Sequence, residues 1–155
     1  MSFTPSTPVT GAAVTGLTSP TYTLTADTAP AVNAKQYYVS ALGGTQTGVT
    51  THSVSSPFVV AMWRPLVLQG VAFFSSLIGF KAKNPVNRYK YVVLKGATPA
   101  AGATPQNIVM SMSIEVPAGV ENYDAVNMKA AFSLLAGVVF ANGTGMTDVL
   151  STGTL

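Results

Sequence analysis

The sequence predicts an α+β fold: an antiparallel sheet from the earlier part of the chain, then a C-terminal helix and a short second helix. Three observations carry this. First, Ile108, Met110, Met112, Ile114 and Val116 alternate strictly with Asn107, Val109, Ser111, Ser113 and Glu115. A period of two with one apolar face is the mark of a strand covered on one side and wet on the other. Second, Met128, Phe132, Leu135 and Val139 recur at helical spacing, with Ala125, Ala131 and Val138 beside them. Third, the strand-like segments come first and the helical run last, and that segregation points to α+β rather than to alternating βαβ units.

The elements follow in order. Residues 1–7 read as a loose start, and Val9 to Val14 with Tyr22 to Ala26 as a hairpin, since Tyr22 and Leu24 alternate with threonines. Asp27 to Pro30 is a turn. Lys35 to Leu42 is a strand ended by Gly43-Gly44, and Thr45 to Ser55 a polar strand. Pro57 to Trp63 is strand-like; Pro65 breaks it, and Leu66 to Phe74 resumes. Phe80 to Lys83 alternates with both lysines on one face, and Asn84-Pro85 turns the chain. In the next strand Tyr89, Tyr91 and Val93 share one face, and Arg88, Lys90, Val92 and Leu94 the other. Gly96 to Gln106, rich in alanine, glycine, proline and threonine, is a mobile loop. Pro117 closes the last strand. Asn122 is the expected N-cap of the helix, with Asp124 in its first turn where the dipole favours an acid. Asn142-Gly143 is its stop, and Met146 to Leu150 forms a second helical turn.

One helix does not cover a sheet of six or seven strand segments. The cover is therefore expected from a second copy of the chain, with Met112, Ile114, Met128, Phe132 and Leu135 in the dimer interface. Composition agrees: of 155 residues, 48% are hydrophobic and only 8% charged, which suits a subunit that buries much of its surface in an assembly. No break or linker divides the chain, so residues 1–155 read as one domain.

The formal net charge is +3, and its placement says more than its size. Between Asp27 and Glu115 there is no acid, while Lys35, Arg64, Lys81, Lys83, Arg88, Lys90 and Lys95 all lie there. A basic centre of this kind suits a polyanion, nucleic acid above all, and the segment from Lys81 to Lys95 is its densest part. Lys35 and Arg64 read as solubilising charges at strand edges.

Several chemistries are missing from the pattern. The chain has no cysteine and a single histidine, His52, so no metal-ligand spacing and no Ser-His-Asp arrangement can be drawn. Glu121 and Asp124 fit a helix start rather than an acid pair. Gly143-Thr144-Gly145 lacks the preceding strand and following Lys-Ser/Thr of a phosphate loop. No enzyme, cofactor or small-molecule substrate is expected. Trp63 and the phenylalanines Phe73, Phe74 and Phe80 read as core or subunit-contact packing, and Tyr89 and Tyr91 as packing under the helix. The start MSFTPSTPVTG has neither a basic end nor an apolar run, so no signal peptide is expected. The apolar runs are broken or shorter than the about 20 residues that span a bilayer.

The succession NRYKYVVLKG, flexible loop, NIVMSMSIEVP, helix AVNMKAAFSLLAG and final DVLSTG resembles the coat proteins of single-stranded RNA bacteriophages, the leviviruses. The likeness covers the C-terminal half in order and spacing; the N-terminal half matches as a hairpin followed by strands. The resemblance implies an N-terminal hairpin, a five-stranded antiparallel sheet and C-terminal helices that lock over a partner in an interlocked homodimer. It implies dimers assembling into an icosahedral shell in the bacterial cytoplasm, with the loop at Gly96 to Gln106 changing shape between symmetry positions. It also implies that the uncovered sheet face binds the single-stranded viral RNA, and that an RNA hairpin bound there represses translation. Matched strand to strand, Arg88, Lys90, Ser111 and Ser113 fall on that face, with Lys81 and Lys83 on the neighbouring strand. Where the family stacks a base on a tyrosine of the last strand, Val109 stands here, and this departure weakens the implication of a specific hairpin. A second reading, a secreted or surface β-rich adhesin-like domain indifferent to nucleic acid, accounts for the threonine and serine content, and the lack of a visible signal peptide disfavours it.

Overall fold

Six strands pair antiparallel in sequence order, and the helices follow them. The structure, a computed structural model, describes residues 3–71 and 84–155. The strands are β1 (Val9–Thr10), β2 (Thr18–Asp27), β3 (Ala34–Thr45), β4 (Phe58–Trp63), β5 (Val86–Ala97) and β6 (Gln106–Pro117), joined in the order β1-β2-β3-β4-β5-β6. The helices are α1 (Val120–Tyr123), α2 (Ala125–Ala141) and α3 (Gly143–Thr152). The hairpin implied by the resemblance, β1 with β2, is thus continuous with the four strands beyond it, β3 to β6, among the described residues.

The pairing of β5 with β6 is the longest, running unbroken from Val86↔Pro117 to Ala97↔Gln106. It sets Tyr89, Tyr91 and Val93 opposite Ile114, Met112 and Met110, and Arg88, Lys90 and Val92 opposite Glu115, Ser113 and Ser111. Directly opposed residues point to the same side of a sheet, so the two faces deduced from alternation are those the ladder builds.

Departures from the expected elements have local causes. Residues 3–7 are not loose. Phe3 stands edge-on to Tyr37 and Tyr91, Tyr37 Oη donates to the Phe3 carbonyl, and the Leu24 N–H donates to Thr7 Oγ1. The first strand is only two residues long; the Gly11 N–H still donates to the Pro20 carbonyl of β2, and the chain after it turns away to meet the start of α3, where Thr144 Oγ1 donates to the Ala13 carbonyl. A Cβ on Gly143 would stand 2.8 Å from both Ala12 Cβ and the Ala13 carbonyl oxygen, so glycine is what permits this contact. Gly43-Gly44 does not end β3, which runs on to Thr45 through a register shift against β2.

The polar strand expected over Thr45 to Ser55 is a loop. Its side chains bond to main chain instead of leaving the main chain to a ladder: Ser53 Oγ accepts from the Ser56 N–H, and His52 Nδ1 accepts from the Phe58 N–H. Lys95 Nζ donates to the carbonyl and hydroxyl of Thr50 and lies 5.0 Å from the Phe58 ring centroid; burial lowers its pKa. Leu66 to Val71 forms no strand, and residues 72–74 of that expected segment, with the alternating run at 80–83, lie outside the described residues.

The segment at Leu66 to Val71 is held by one buried amide. Asn87 is 2% exposed; its Oδ1 accepts from the Gln69 N–H at 2.8 Å, and its Nδ2 donates to the Gln69 carbonyl at 3.1 Å. The amide takes the place of the missing ladder partner.

At the C-terminal end Asn122 is not an N-cap. It lies within α1, where Glu121 Oε2 accepts from the Gly119 N–H and so holds the helix start. Asp124 breaks the run before α2 and accepts from Asn127 Nδ2. Asn142 ends α2 as expected, its Nδ2 donating to the Val138 carbonyl. The chain then bends by 65° into α3, ten residues long rather than a single turn. Among the described residues no single helix is long and apolar enough to cross a membrane, although α2 and α3 together pass that test as a bent pair.

Replacing Asn87 by Ala strands both main-chain groups of Gln69 and should lower stability by about 1–3 kcal/mol. Urea denaturation followed by circular dichroism checks this; an unchanged midpoint contradicts the anchoring role.

Candidate nucleic-acid interface

The register gives the sheet two chemically different sides. On one lie Tyr37, Val60, Val93 and Met110 in a row across β3 to β6, with Lys35, Met62, Tyr91 and Met112 in the next. This apolar side borders two cavities. One, of about 710 Å³, separates Tyr89, Tyr91 and Ile114 from Met128, Phe132 and Leu135 of α2. The other, of about 590 Å³, lies among Phe3, Tyr22, Leu24, Phe58 and Met110. Burial raises the pKa of the Tyr22 and Tyr91 phenols on this side.

Helix α2 stands over the first cavity without sealing it. No residue of its seventeen is buried. Phe132 is 45% exposed, Leu135 40% and Leu134 69%. Lys129 is its only charged residue, so the helix is apolar nearly all round. The residues expected at a dimer interface are thus brought to one open apolar space: Ile114 on the floor, Met112 in the adjoining register position, and Met128, Phe132 and Leu135 on the helix above. Beside them, among the described residues, β6 is an edge strand paired with β5 alone, and Ile108, Val109 and Met110 at its start are exposed.

The opposite side is polar with a small-residue centre. Its rows run Ala34, Trp63, Lys90, Ser113; then Gln36, Ala61, Val92, Ser111; then Tyr38, Val59, Leu94, Val109. Ala34, Ala61, Val59 and Val92 are buried, sunk among larger neighbours. Arg88 and Glu115 face each other at one end, with Arg88 Nε donating to Glu115 Oε1 at 2.7 Å. Thr25, Ser40, Gln36 and Asp27 form the rim toward β2. Thr25 Oγ1 donates to Ser40 Oγ. Gln36 Nε2 and the Thr28 N–H both donate to the Asp27 carboxylate, and these bonds hold its pKa below the usual value.

Arg88, Lys90, Ser111 and Ser113 therefore lie together on the polar side, all exposed. Lys81 and Lys83, with Phe73, Phe74 and Phe80, lie outside the described residues. The basic segment from Lys81 to Lys95 divides: Lys95 stands opposite Ile108 on the apolar side, tied to Thr50. The acid-free centre seen along the chain is also not acid-free in space, because the ladder carries Glu115 to Arg88. The strand alternation already set Glu115 on this face; only its register with Arg88 was missing. Trp63, read as core or subunit packing, is half-buried on the polar side directly opposite Lys90.

The subunit of the virus-like particle of bacteriophage ESE020 superposes with a TM-score of 0.94 at 49% sequence identity, covering 99% of this chain and 100% of that one. Virus-like particles of Wenzhou levi-like virus 4 and Beihai levi-like virus 32 superpose at a TM-score of 0.49 each, with 12% and 13% identity. They cover 88% and 86% of this chain and 70% and 88% of their own. No family model and no curated protein matches the chain.

The Arg88–Glu115 pair is solvent-exposed on both sides, and such pairs contribute about 0.2–1 kcal/mol. Glu115→Ala should therefore leave the thermal midpoint nearly unchanged while raising the salt needed to elute the protein from heparin. A large loss of stability would mean the pair is structural.

Proposed function

The chain belongs to the coat proteins of levivirus-like bacteriophages and is a structural capsid protein, and from that premise we propose that it acts as an interlocked homodimer that encloses single-stranded RNA. The observation that carries the dimer is α2. A helix apolar on all sides is stable in water only when it is enclosed, and in one chain no residue of α2 is buried. A second copy supplies the enclosure: its own α2 and apolar sheet face fill the space between Tyr91, Ile114, Met128, Phe132 and Leu135, and β6 of each chain meets its twin edge to edge. Each large apolar side chain so buried contributes about 1.5–3 kcal/mol, enough over several residues to make the lone chain the minor species. Pairing through β6 also removes an edge that would otherwise recruit other strands.

The same pairing leaves the polar side free and doubles it. Arg88 and Lys90 then neutralise phosphate, and Ser111 and Ser113 hydrogen-bond to the RNA backbone, with Lys81 and Lys83 as further contacts. Dimers of this kind assemble into an icosahedral shell with the polar side facing the RNA. The loop after β5, residues 98–105, is the segment that adapts between symmetry positions. Translational repression through one RNA hairpin belongs to this reading as a finer function of the same surface.

Expression of the full chain should yield regular particles containing nuclease-protected RNA, visible by electron microscopy. Arg88→Ala with Lys90→Ala should lower the RNA content and leave the oligomeric state intact; small, RNA-free species from the unaltered chain contradict the reading. Asp at Phe132 or Leu135 buries an unpaired charge in the proposed interface and should abolish the dimer in size-exclusion chromatography, and a dimer that survives both substitutions places the interface elsewhere.

A further inference from the structure

Trp63 has the setting of a binding residue rather than of a core residue. It ends β4 on the polar side, where its neighbours along and across the strands are small: Ala61 two residues before it and Ala34 opposite it on β3, both buried. A large flat ring beside such residues forms a ledge. Among the described residues no aromatic ring or cation packs on the indole, and its Nε1–H makes no hydrogen bond and is open to solvent. On the other flank stands Lys90, directly opposite on β5, and beyond it Ser113 on β6. Strand spacing of about 4.8 Å sets the ammonium one strand from the ring and the hydroxyl two strands away. Arg88 lies two residues before Lys90 on the same side, its Nε held by Glu115. Glu115 so fixes the guanidinium while leaving its terminal nitrogens to donate elsewhere.

A stacking surface, a free indole donor and adjacent cations match one ligand chemistry: an unpaired nucleobase with its phosphates. A base pair inside a duplex offers no free face, and a polyphosphate has no ring to place on the ledge. We propose that Trp63 is the stacking platform for an unpaired base of RNA, with Lys90 and the Glu115-oriented Arg88 holding the flanking phosphates. This rests on the RNA-binding reading given above and deepens it, because it makes the surface selective for single-stranded segments rather than for any polyanion.

Trp63 is the single tryptophan of the chain, so its fluorescence reports this site alone. The full-length protein, stripped of co-purified nucleic acid, is titrated with a labelled single-stranded RNA oligonucleotide, with an RNA duplex of equal length, and with inorganic polyphosphate. The single strand should quench Trp63 emission in step with binding followed by anisotropy of its label. Polyphosphate should bind without quenching, and the duplex should quench less than the single strand. Trp63→Leu should weaken single-strand binding by roughly tenfold, leave polyphosphate binding unchanged, and be partly rescued by Trp63→Phe. If Trp63→Leu does not fold, quenching of the unaltered protein decides alone. Binding of the single strand with unchanged emission, or equal quenching by the duplex, overturns the stacking role and leaves RNA packaging standing. Failure of all three probes to bind overturns both.

Discussion

A long helix with almost no polar face governs this molecule. Seventeen residues of α2 carry one charge, and no residue of it is buried by its own chain. Isolated helices of this length are marginal in water, so α2 depends on what encloses it. The apolar side of the sheet has the complementary need. Tyr89, Tyr91 and Ile114 face a cavity of about 710 Å³ whose far wall is the same helix. Helix and sheet thus present facing apolar surfaces with a gap between them.

That need explains the asymmetry of the sheet. Strand alternation keeps most large apolar and aromatic side chains on the side toward α2 and sets small, hydroxylated and basic ones, together with Trp63 and Leu94, on the other. On the polar side, the small residues Ala34, Ala61 and Val92 sink below Trp63, Lys90 and Arg88. The result is a shallow relief rather than a flat floor. Dense side-chain bonding at the sheet margins keeps this relief in place. Asn87 anchors Gln69, His52 and Lys95 pin the loop before β4, and Glu115 holds Arg88. The pinned loop also reaches the stem of the loop after β5, where Ser56 Oγ donates to the Gly96 carbonyl. A Cβ on Gly96 would stand 2.6 Å from Ser56 Cα, so this close approach needs glycine. The stem of that loop is thereby fixed against the segment before β4.

Much of the architecture was legible in the residues. The strict alternation of Ile108 to Val116 and of Arg88 to Leu94 identified both long strands and their faces, because a period of two leaves no choice of side. The helical spacing of Met128, Phe132 and Leu135, and the stop at Asn142, placed α2. The order of these segments pointed to the coat-protein family to which the chain belongs.

What stayed hidden depends on which strand lies beside which, and in what register. Glu115 reads as a remote acid along the chain and becomes the partner of Arg88 across the ladder. Trp63 reads as core or subunit-contact packing, and only the ladder sets it beside Lys90 on the polar side. The Thr45 to Ser55 segment has the composition of a strand and becomes a loop, because His52 and Ser53 spend their bonding capacity on nearby main chain. Periodicity is a local property and survives in the order of the residues. Contacts between charges, rings and caps join positions far apart in the chain, and these exist only once the backbone has been laid strand against strand.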